Sequence, residues 1–277
     1  MGALKDEDLL AKHPKKEHDP ELIASLPESF DARDKWPNCP SLNEIRDQGA
    51  CGSCWAIAAA AAMTDRYCIY SNGTKNFHFS AQDVASCGGI WGDGCHGDFP
   101  SMAWLYWVEE GIVSGGNYNS SQGCRPYEVA PCDHLASGNL PPCGNKSVET
   151  PKCLNSCLAD CMDYYEDKRH GKEYYILDNE EDIKAELFEN GPLEVAFDVY
   201  EDFATYKGGV YRYKRGSKVG SHAVKVLGWG VENDTKYWLI ANSWNAHWGD
   251  NGYFKILRGE NHCRIEHVAI GGVPIIK

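Results

Sequence analysis

Gln48-Gly49-Ala50-Cys51-Gly52-Ser53-Cys54-Trp55 leads directly into an alanine-rich segment that ends near Tyr70. Ser53 is a favourable N-cap residue, and the alanines that follow Trp55 are strong helix formers. Cys54 is therefore predicted to lie in the first turn of a buried helix. Unpaired backbone N–H groups and the positive end of the helix dipole favour an anion there, so they shift a thiol toward the nucleophilic thiolate.

Two other interpretations of Cys54 are open at this point. It could be a structural cysteine, or it could form a redox pair with Cys51 in a Cys-x-x-Cys motif. The redox interpretation requires a thioredoxin-like βαβ context, which this stretch lacks. The Cys-Gly-Ser-Cys-Trp pattern instead matches the local signature of papain-like cysteine peptidases, and Gln48 lies six residues before Cys54. The stretch therefore favours a nucleophilic cysteine.

Composition narrows the class of protein. The 277 residues suffice for one large core or for two packed halves around a cleft. A formal net charge of −13 argues against a nucleic-acid partner, whose phosphates would be repelled, and suits an acidic compartment. Thirteen cysteines favour an oxidising location, as do four Asn-x-Ser/Thr sequons at Asn72, Asn119, Asn145 and Asn233. No stretch is long and apolar enough to span a membrane.

The N-terminal residues 1–25 are highly charged and carry no sustained pattern. We interpret them as a tail or as the remnant of a removed pro-segment, outside the core. They lack a hydrophobic signal core, so the signal segment of a secretory protein is expected to be absent from this chain. The folded body is predicted to open at Leu26.

Helical signals dominate the first half of the body, and β-type signals dominate the last third. Besides the central helix, helices are predicted at residues 80–84, 98–108 and 179–190. Short β-type runs follow at residues 193–199, 209–213, 222–228, 237–242 and 252–257. This α+β pattern predicts a helical half, an antiparallel sheet or barrel, and an active cleft between them.

Residues 115–161 are rich in Pro, Gly, Asn and Cys and almost without periodicity. A loop of this length is either functional or pinned by disulfides, and its five cysteines before Cys161 favour pinning. The spacing of Cys153, Cys157 and Cys161 would also suit a metal cluster. The matching histidine spacing is absent, so a zinc site is not predicted.

A nucleophilic thiolate needs a base, a group that orients the base, and donors for an oxyanion. The β half offers His222 and Asn242, and Trp244 could shield their hydrogen bond from water. A lone histidine that enters a strand is more often an ordinary polar residue. The chain order Cys54, His222, Asn242 is nevertheless that of a Cys-His-Asn triad, and this order favours the catalytic interpretation.

From Leu26 onward, nearly the whole chain resembles the papain superfamily of cysteine peptidases and, within it, the cathepsin B group. Besides the stretch quoted first, the resemblance is carried by Gly123-Cys124-Arg125-Pro126-Tyr127, Cys132-Asp133-His134, Pro141-Pro142-Cys143, Gly228-Trp229-Gly230-Val231-Glu232-Asn233, Ala241-Asn242-Ser243-Trp244 and Trp248-Gly249-Asp250-Asn251-Gly252. It implies a papain-like peptidase domain over residues 26–277. A left helical part (about 40–174) and a right antiparallel β-barrel part (about 175–277) would enclose the active-site cleft. Residues 124–153 look like the occluding loop that distinguishes the cathepsin B group.

The resemblance also implies a function. The chain would be a cysteine-type endopeptidase of the cathepsin B kind, made as a zymogen and acting through a thiolate–imidazolium pair without a cofactor or a metal. Its partners would be protein and peptide substrates and cystatin-like or pro-segment inhibitors, with no nucleic acid and no membrane. A monomer in a lysosomal or secreted location is expected.

Catalytic roles follow residue by residue from the resemblance. Cys54 would attack the scissile carbonyl, His222 would shuttle the proton, and Asn242 would orient His222. The side chain of Gln48 and the backbone N–H of Cys54 would stabilise the oxyanion. The substrate-binding positions implied are Gly97, Asp98, Phe99, Pro100, Ala223, Trp244, Val268 and His134.

The resemblance further implies a disulfide framework. The expected pairs are Cys39–Cys68, Cys51–Cys95, Cys87–Cys153, Cys124–Cys157 and Cys132–Cys143. Cys54, Cys161 and Cys263 would then have no disulfide partner. A further bridge that is common in the cathepsin B group is not expected, because Gly88 stands where its first cysteine would be.

Departures from the cathepsin B pattern predict altered specificity. Val268 stands where the group has an acid on the floor of the S2 pocket, with Glu266 as an alternative acid nearby, so apolar P2 residues are favoured over Arg. His134 is followed by Leu135 in place of a second histidine, so one of the two groups that bind a substrate's C-terminal carboxylate is lost. Weakened peptidyl-dipeptidase activity is therefore predicted.

Ion pairs that latch the occluding loop are also reduced. The pair between Asp47 and His134 is expected to remain. A second pair would join the positions of Leu140 and His247, where neither residue can form it. The loop is therefore predicted to move aside more easily for a long substrate, and more so as the pH rises toward neutral and His134 loses its proton.

An inactive, peptidase-like binding protein is the alternative from another class. The intact Cys54, His222, Asn242 and Gln48 argue against it, because a binding role does not require all four. Asp98 keeps it open, since this residue stands where the family has a second glycine that lines the substrate backbone. A side chain there could crowd or charge the cleft.

Overall fold

The structure, a computed structural model, describes residues 2–4, 12–89, 92–134, 138–144, 146–159 and 161–277. Its α-helices span Pro20–Ser25 (α1), Ala32–Lys35 (α2), Cys54–Tyr70 (α3), Ala81–Cys87 (α4), Pro100–Glu109 (α5), Tyr164–Asp167 (α6) and Glu180–Asn190 (α7). Its strands span Phe30–Asp31 (β1), Gly171–Leu177 (β2), Leu193–Tyr200 (β3), Val210–Tyr211 (β4), Lys218–Glu232 (β5), Thr235–Ala241 (β6), Tyr253–Leu257 (β7) and Ala269–Pro274 (β8). No helix within these ranges is long and apolar enough to cross a membrane.

Helix α3 lies at the centre of the molecule. All of its residues except Tyr70 are buried, because small alanine side chains let it pack on several sides at once. It contacts α4 and α5 on the helical side and strand β5 of the sheet. Its buried charges are paired across this junction, Asp65 with Lys225 at 2.6 Å and Arg66 with Glu186. The first residue of α3, Cys54, therefore lies where the helices meet the sheet.

The strands form one sheet in the order β2-β8-β3-β5-β6-β7-β4, and β1 pairs with β5. Neighbouring strands are antiparallel except β4 and β7, which are parallel. Among the described residues the end strands β2 and β4 do not pair with each other, so the predicted sheet or barrel is an open sheet. The combination of helices with a mainly antiparallel sheet is the α+β class that was expected. Strands β2 and β8 are not among the five predicted β-type runs.

Five disulfides cross-link the irregular segments, and two of them reach an α-helix, at Cys68 of α3 and at Cys87 of α4. They join Cys39–Cys68, Cys51–Cys95, Cys87–Cys153, Cys124–Cys157 and Cys132–Cys143, which confirms all five expected pairs. Cys54, Cys161 and Cys263 take no part in these disulfides. The bond from Cys51 to Cys95 excludes a redox pair between Cys51 and Cys54. The sulfurs of Cys153 and Cys157 are likewise occupied by disulfides, so they are not metal-binding thiolates.

The N-terminal residues are docked on the protein, which differs from the tail expected from their charge. Ala3 is only 7% exposed and packs against Cys54. Residues 12–18 follow strand β2, and helix α1 connects them to Leu26. Charged side chains of this segment pair with oppositely charged side chains elsewhere in the chain, as described below. Local composition does not reveal such distant partners.

Candidate active site

Cys54 begins helix α3 and is fully buried. Ser53 occupies the N-cap position, but its hydroxyl makes no cap hydrogen bond and instead lies 2.6 Å from the Tyr127 hydroxyl. Tyr127 in turn donates to the backbone carbonyl of Gln48 at 2.9 Å. Ser53 therefore occupies the predicted N-cap position, although its hydroxyl does not make a cap hydrogen bond. The residue ties the start of the helix to the neighbouring loops instead.

His222 lies in strand β5, and Asn242 directly follows the paired strand β6. The antiparallel register of the two strands brings these residues together, with Nε2 of His222 2.7 Å from Oδ1 of Asn242. The backbone N–H of Ser243 also donates to this oxygen at 2.8 Å, which fixes the orientation of the amide. Nε2 therefore carries the proton in the neutral ring. Among the described residues Nδ1 has no hydrogen-bond partner, so it is free to exchange a proton.

The ring of Trp244 stacks on His222, with centroids 4.9 Å apart and an interplanar angle of 22°. Both rings are buried. The indole thus shields the bond between His222 and Asn242 from water, as expected from the sequence. Shielding strengthens a hydrogen bond because water no longer competes for its donor and acceptor.

Gln48 is held rigidly beside the triad. Its Nε2 donates to the carbonyl of Cys51 at 2.7 Å, and its Oε1 accepts from the hydroxyl of Ser243 at 2.8 Å. A backbone hydrogen bond from Gln48 to the carbonyl of Ser243 at 3.0 Å adds a third tie. The amide has a second N–H beyond the one given to Cys51. Such a preorganised donor is what an oxyanion site requires.

The N-terminal residues lie across this centre in an extended conformation. The backbone N–H of Gly2 is 3.3 Å from Sγ of Cys54, and that of Ala3 donates to the carbonyl of Ser221 at 3.3 Å. Asp98 forms two backbone hydrogen bonds with the segment, donating to Gly2 at 2.8 Å and accepting from Leu4 at 2.9 Å. The two sides of the cleft therefore hold a peptide main chain directly over the thiol.

Gly97 is required by this close approach. Its φ of +99° lies in the region that favours glycine, and a Cβ built on it would meet the carbonyl oxygen of Gly2 at 2.6 Å. The neighbouring Asp98 does not fill the cleft with its side chain. Its carboxylate accepts from the backbone N–H groups of Asp93 and Phe99, both at 2.7 Å, and so turns back into its own loop. The crowding that kept the binding-protein alternative open is not observed.

Burial shifts the pKa values of both catalytic groups in this closed state. Burial raises the pKa of the Cys54 thiol, although the N–H groups of Ala223 and Gly2 act in the opposite direction. Burial lowers the pKa of His222 to about 3, against the hydrogen bond to Asn242. Thiol and imidazole are thus neutral in this closed state, whereas the helix terminus alone predicts a thiolate. Desolvation under the segment outweighs the helix dipole.

One predicted wall of the S2 pocket, Ala223, packs against Ala3. The methyl group of Ala3 packs with Ala58, Ala196 and Ala223, of which only Ala223 was predicted. Phe99 and Pro100 lie at the start of α5 beside Asp98. Val268 is partly buried against the helical core. A P2 side chain would therefore meet small apolar groups.

Glu266, the alternative acid for this pocket, is engaged elsewhere. Its Oε1 accepts from Nε1 of Trp238 at 2.9 Å, and its Oε2 accepts from the backbone of Asn261 at 2.6 Å. Sequence reasoning missed another acid, Glu194 on β3, two residues before Ala196. It is fully buried, accepts from Trp104 at 2.7 Å, and burial raises its pKa well above the usual range. An acid near the start of the otherwise apolar run of residues 193–197 was the available signal.

The occluding loop reaches the same centre through His134. Nε2 of His134 lies 3.0 Å from Oδ1 of Asp47, and its ring stacks on Trp244 with centroids 5.6 Å apart. Asn245 donates to the other oxygen of Asp47 and to the carbonyl of Cys132, both at 3.1 Å. Cys132, Cys143 and His134 also form a group with metal-binding spacing, but the two sulfurs are joined in a disulfide.

Three other positions bear on the occluding loop and its second ion pair: Leu135, Leu140 and His247. Leu135, predicted to replace a carboxylate-binding histidine, lies outside the described residues. Leu140 donates its backbone N–H to Asp133 at 3.0 Å. His247 is exposed, and within the described ranges it forms no ion pair with an acid. Within the described ranges the ion pair of Asp47 with His134 is thus present, and an ion pair between positions 140 and 247 is not.

Comparison with known proteins identifies several close matches. Residues 26–273 match the family described as papain family cysteine protease. A "Cathepsin B-like cysteine proteinase 5" of Caenorhabditis elegans is 49% identical over 98% of this chain and 78% of its own length. A "Cathepsin B-like cysteine proteinase" of Schistosoma japonicum is 47% identical over 99% of this chain and 81% of its own length. Among solved structures, proCathepsin B S9 of Trypanosoma congolense superimposes with a TM-score of 0.86 at 40% identity, over 99% of this chain and 86% of that one.

Proposed function

This chain belongs to the papain family of cysteine proteases, and from that premise we propose that Cys54 and His222 form the thiolate–imidazolium pair of a predominantly endoproteolytic enzyme. It is a cathepsin B-like cysteine peptidase that acts on proteins. One observation carries the assignment of the site. A peptide segment, residues 2–4, is hydrogen-bonded to both sides of a cleft directly over the only thiol that begins the central helix, Cys54.

The reaction follows from the positions of these groups. The thiolate of Cys54 attacks the scissile carbonyl carbon, and the oxygen becomes an oxyanion near the backbone N–H of Cys54 and the free N–H of Gln48. The imidazolium of His222 then gives its Nδ1 proton to the leaving amine, and the C–N bond breaks. Water, deprotonated by His222, attacks the thioester and releases the acid. Asn242 keeps the ring oriented through both steps.

The closed state explains why a segment must leave before catalysis. Gly2 and Ala3 occupy the space over Cys54, and both catalytic groups are neutral beneath them. Removing the segment admits water, which favours the charged pair. The zymogen character is supported by the similarity to a procathepsin.

The loop geometry supports endoproteolysis over peptidyl-dipeptidase activity. His134 alone offers an imidazole beside Asp47, and the sequence places Leu135 where a second would be needed. A carboxylate that is bound by one imidazolium instead of two loses a charge-assisted hydrogen bond, about 1.5–3 kcal/mol. The substrate's C-terminus is therefore bound weakly.

Five disulfides and the cathepsin B-like relatives indicate an extracytosolic protein. We assign it more finely to lysosomes or to secretion, as a monomer that cystatin-like inhibitors can block. Asn72, Asn119 and Asn233 are exposed, which suits glycosylation, whereas Asn145 lies outside the described residues.

Thiol labelling tests the proposal. The chain, freed of its N-terminal segment, is treated at acid pH with an epoxide inhibitor of cysteine peptidases, and the modified residue is identified by mass spectrometry. Rapid modification of Cys54, with matching loss of hydrolysis of a fluorogenic dipeptidyl substrate, is expected. Exposed Cys161 is the internal control and should react slowly. Labelling without any hydrolysis would favour an inactive binding protein.

A further inference from the structure

Residues 12–18 dock on the sheet edge formed by strand β2. Lys16 donates its backbone N–H to the carbonyl of Ile176 at 3.0 Å, and Ile176 donates to the carbonyl of Pro14 at 2.9 Å. The segment thus adds a short parallel strand to an edge whose other side pairs with β8. Strand addition of this kind is a common mode of peptide recognition, because the main-chain hydrogen bonds do not depend on sequence.

Basic side chains of the segment meet Asp178, which directly follows β2, and two acids of α7. Lys15 pairs with Asp178 at 2.5 Å and Lys16 with Glu186 at 2.8 Å. His18 is the most enclosed of the three, with only 3% of its side chain exposed. Its ring lies 3.1 Å from Asp182 and 2.9 Å from Glu186, and its backbone N–H donates to Asp182 at 2.7 Å.

The acids are held in place by the peptidase part of the chain. Asp182 accepts from the side chain of Asn179 at 2.6 Å. Glu186 is fully buried, pairs with Arg66 and accepts from the Tyr175 hydroxyl at 2.5 Å. Since these contacts do not involve residues 12–18, the acidic site is preorganised. Preorganisation lowers the cost of binding a new ligand.

We propose that, after the N-terminal segment is removed, the β2 edge with Asp178, Asp182 and Glu186 serves as a second peptide-binding site that recruits extended lysine-rich segments of protein substrates. This exosite rests on the proposed function, since it presupposes that the cleft cleaves proteins. Residues 12–25 lie before the family match, which begins at residue 26, so their departure leaves the matched domain whole. The net charge of −13 adds a long-range attraction for basic segments.

Binding is tested without turnover, in the full chain carrying Cys54→Ser and a specific-protease site between Ser25 and Leu26. The folded protein is cut, the fragment is removed in high salt, and binding of a fluorescent peptide with the sequence of residues 12–19 is followed by anisotropy. Asp178→Asn with Asp182→Asn should weaken binding about tenfold or more. Glu181→Gln with Glu189→Gln, two exposed acids of the same helix, should change it less than about twofold.

The peptide supplies a second test that leaves the protein unchanged. Replacing the residues equivalent to Lys15, Lys16 and His18 by Ala should abolish binding, whereas replacing Glu17 should not. The interaction should also weaken between about 50 and 500 mM salt. Absent binding of the parent peptide, or equal loss in both pairs of protein variants, would overturn the proposal.

A kinetic arm separates substrate recruitment from retention of the pro-segment. Active cut enzyme is given a fluorogenic substrate that carries, through a flexible linker, either residues 14–19 or the same residues scrambled. The native tail should lower KM about tenfold at unchanged kcat, and untailed substrate should be cleaved alike by the wild type and the Asp178→Asn, Asp182→Asn variant. Peptide binding with identical KM values would mean that the surface holds only the pro-segment. Absent hydrolysis of every substrate would instead count against the proposed function.

Discussion

Two histidine rings stack on the indole of Trp244, but they meet different partners. His222 lies against the neutral amide of Asn242, whereas His134 lies against the carboxylate of Asp47. The first ring is fully buried, and the second keeps 10% of its side chain exposed. One ring belongs to the catalytic centre and the other to the occluding loop.

The difference shows what each partner does to a proton. A carboxylate stabilises the imidazolium and makes the contact depend on pH, whereas an amide orients the ring without holding it in one charge state. A base that must take up and release a proton in each turnover is served by the amide. A latch that must stay closed in acid is served by the carboxylate.

Removing the thiol should abolish catalysis without affecting the occluding loop. Cys54→Ser should lower kcat by at least about a thousandfold, because serine is far less acidic than cysteine and His222 cannot form an ion pair with it. The melting temperature should stay close to that of the wild type, since the side chains are similar in size. Cys161→Ser, at an exposed thiol, is the matched control and should retain full activity. Activity of Cys54→Ser within tenfold of wild type would remove Cys54 from its role.

The contrast between neutral and charged partners extends to the S2 pocket. We expect Val268 and Ala223 to line this pocket without a counter-charge for an Arg at P2. Such an Arg would lose its hydration, so kcat/KM for Arg-Arg substrates should be about a hundredfold below that for Phe-Arg substrates. Val268→Glu should recover much of the difference, and Val268→Gln is the uncharged control. Equal kcat/KM for both substrates in the wild type would refute the assignment of Val268.

A second histidine on the occluding loop would test how the loop binds a substrate's C-terminus. The enzyme should cleave peptides with a free C-terminus weakly, and Leu135→His should raise this rate by roughly ten- to a hundredfold through a second charge-assisted hydrogen bond. Leu135→Gln controls for polarity without charge. The assay compares a free-acid peptide with its amidated twin between about pH 4.5 and 7. A strong preference of the wild type for the free acid would contradict the prediction.

The protonation of the catalytic pair is testable without substrate. Because burial raises the pKa of Cys54 in the closed state, the uncut chain contains less thiolate at a given pH. Alkylation of Cys54 by iodoacetamide near pH 6 should therefore be at least about tenfold slower before than after removal of the segment. In the uncut chain the rate should still be rising at a pH where the cut chain has reached its plateau. Cys161 in the same sample should react equally in both forms, and equal rates for Cys54 would show that the segment does not protect it.

Removing the latch should have the smallest effect. His134→Phe keeps an aromatic ring on Trp244 but removes the pair with Asp47. Endopeptidase kcat/KM on long substrates should rise a few-fold, because the loop loses its contact with Asp47 and moves aside more easily. An unchanged kcat/KM would exclude His134 as a latch of the loop.

Much of the structure was predictable where local signals decide it. Helix α3 extends from Cys54 to Tyr70 as its alanines predict, and α7 ends at Asn190 before Gly191-Pro192. The disulfides followed only from the family resemblance, because thirteen cysteines do not specify their own pairing. The fold and the class of enzyme were likewise predicted from the family resemblance.

The rest depended on contacts between distant parts of the chain. Strand β8 is glycine-rich and β2 follows an irregular segment, so neither shows clear alternation, and each is stabilised by pairing with the other. Residues 12–18 look like a solvated charged run until α7 supplies their partners more than 160 residues away. The raised pKa of Cys54 reflects its complete burial, which the local sequence around the helix terminus does not reveal.

Covering the β2 edge affects the solubility of the protein. An exposed edge strand is a template for pairing with the same edge of another molecule, and such pairing leads to aggregation. In the uncut chain residues 14–16 fill that edge and bury it under charged side chains. We therefore expect the zymogen to be the colloidally robust form, suited to storage at high concentration. The processed form gains activity and loses this protection in the same cleavage.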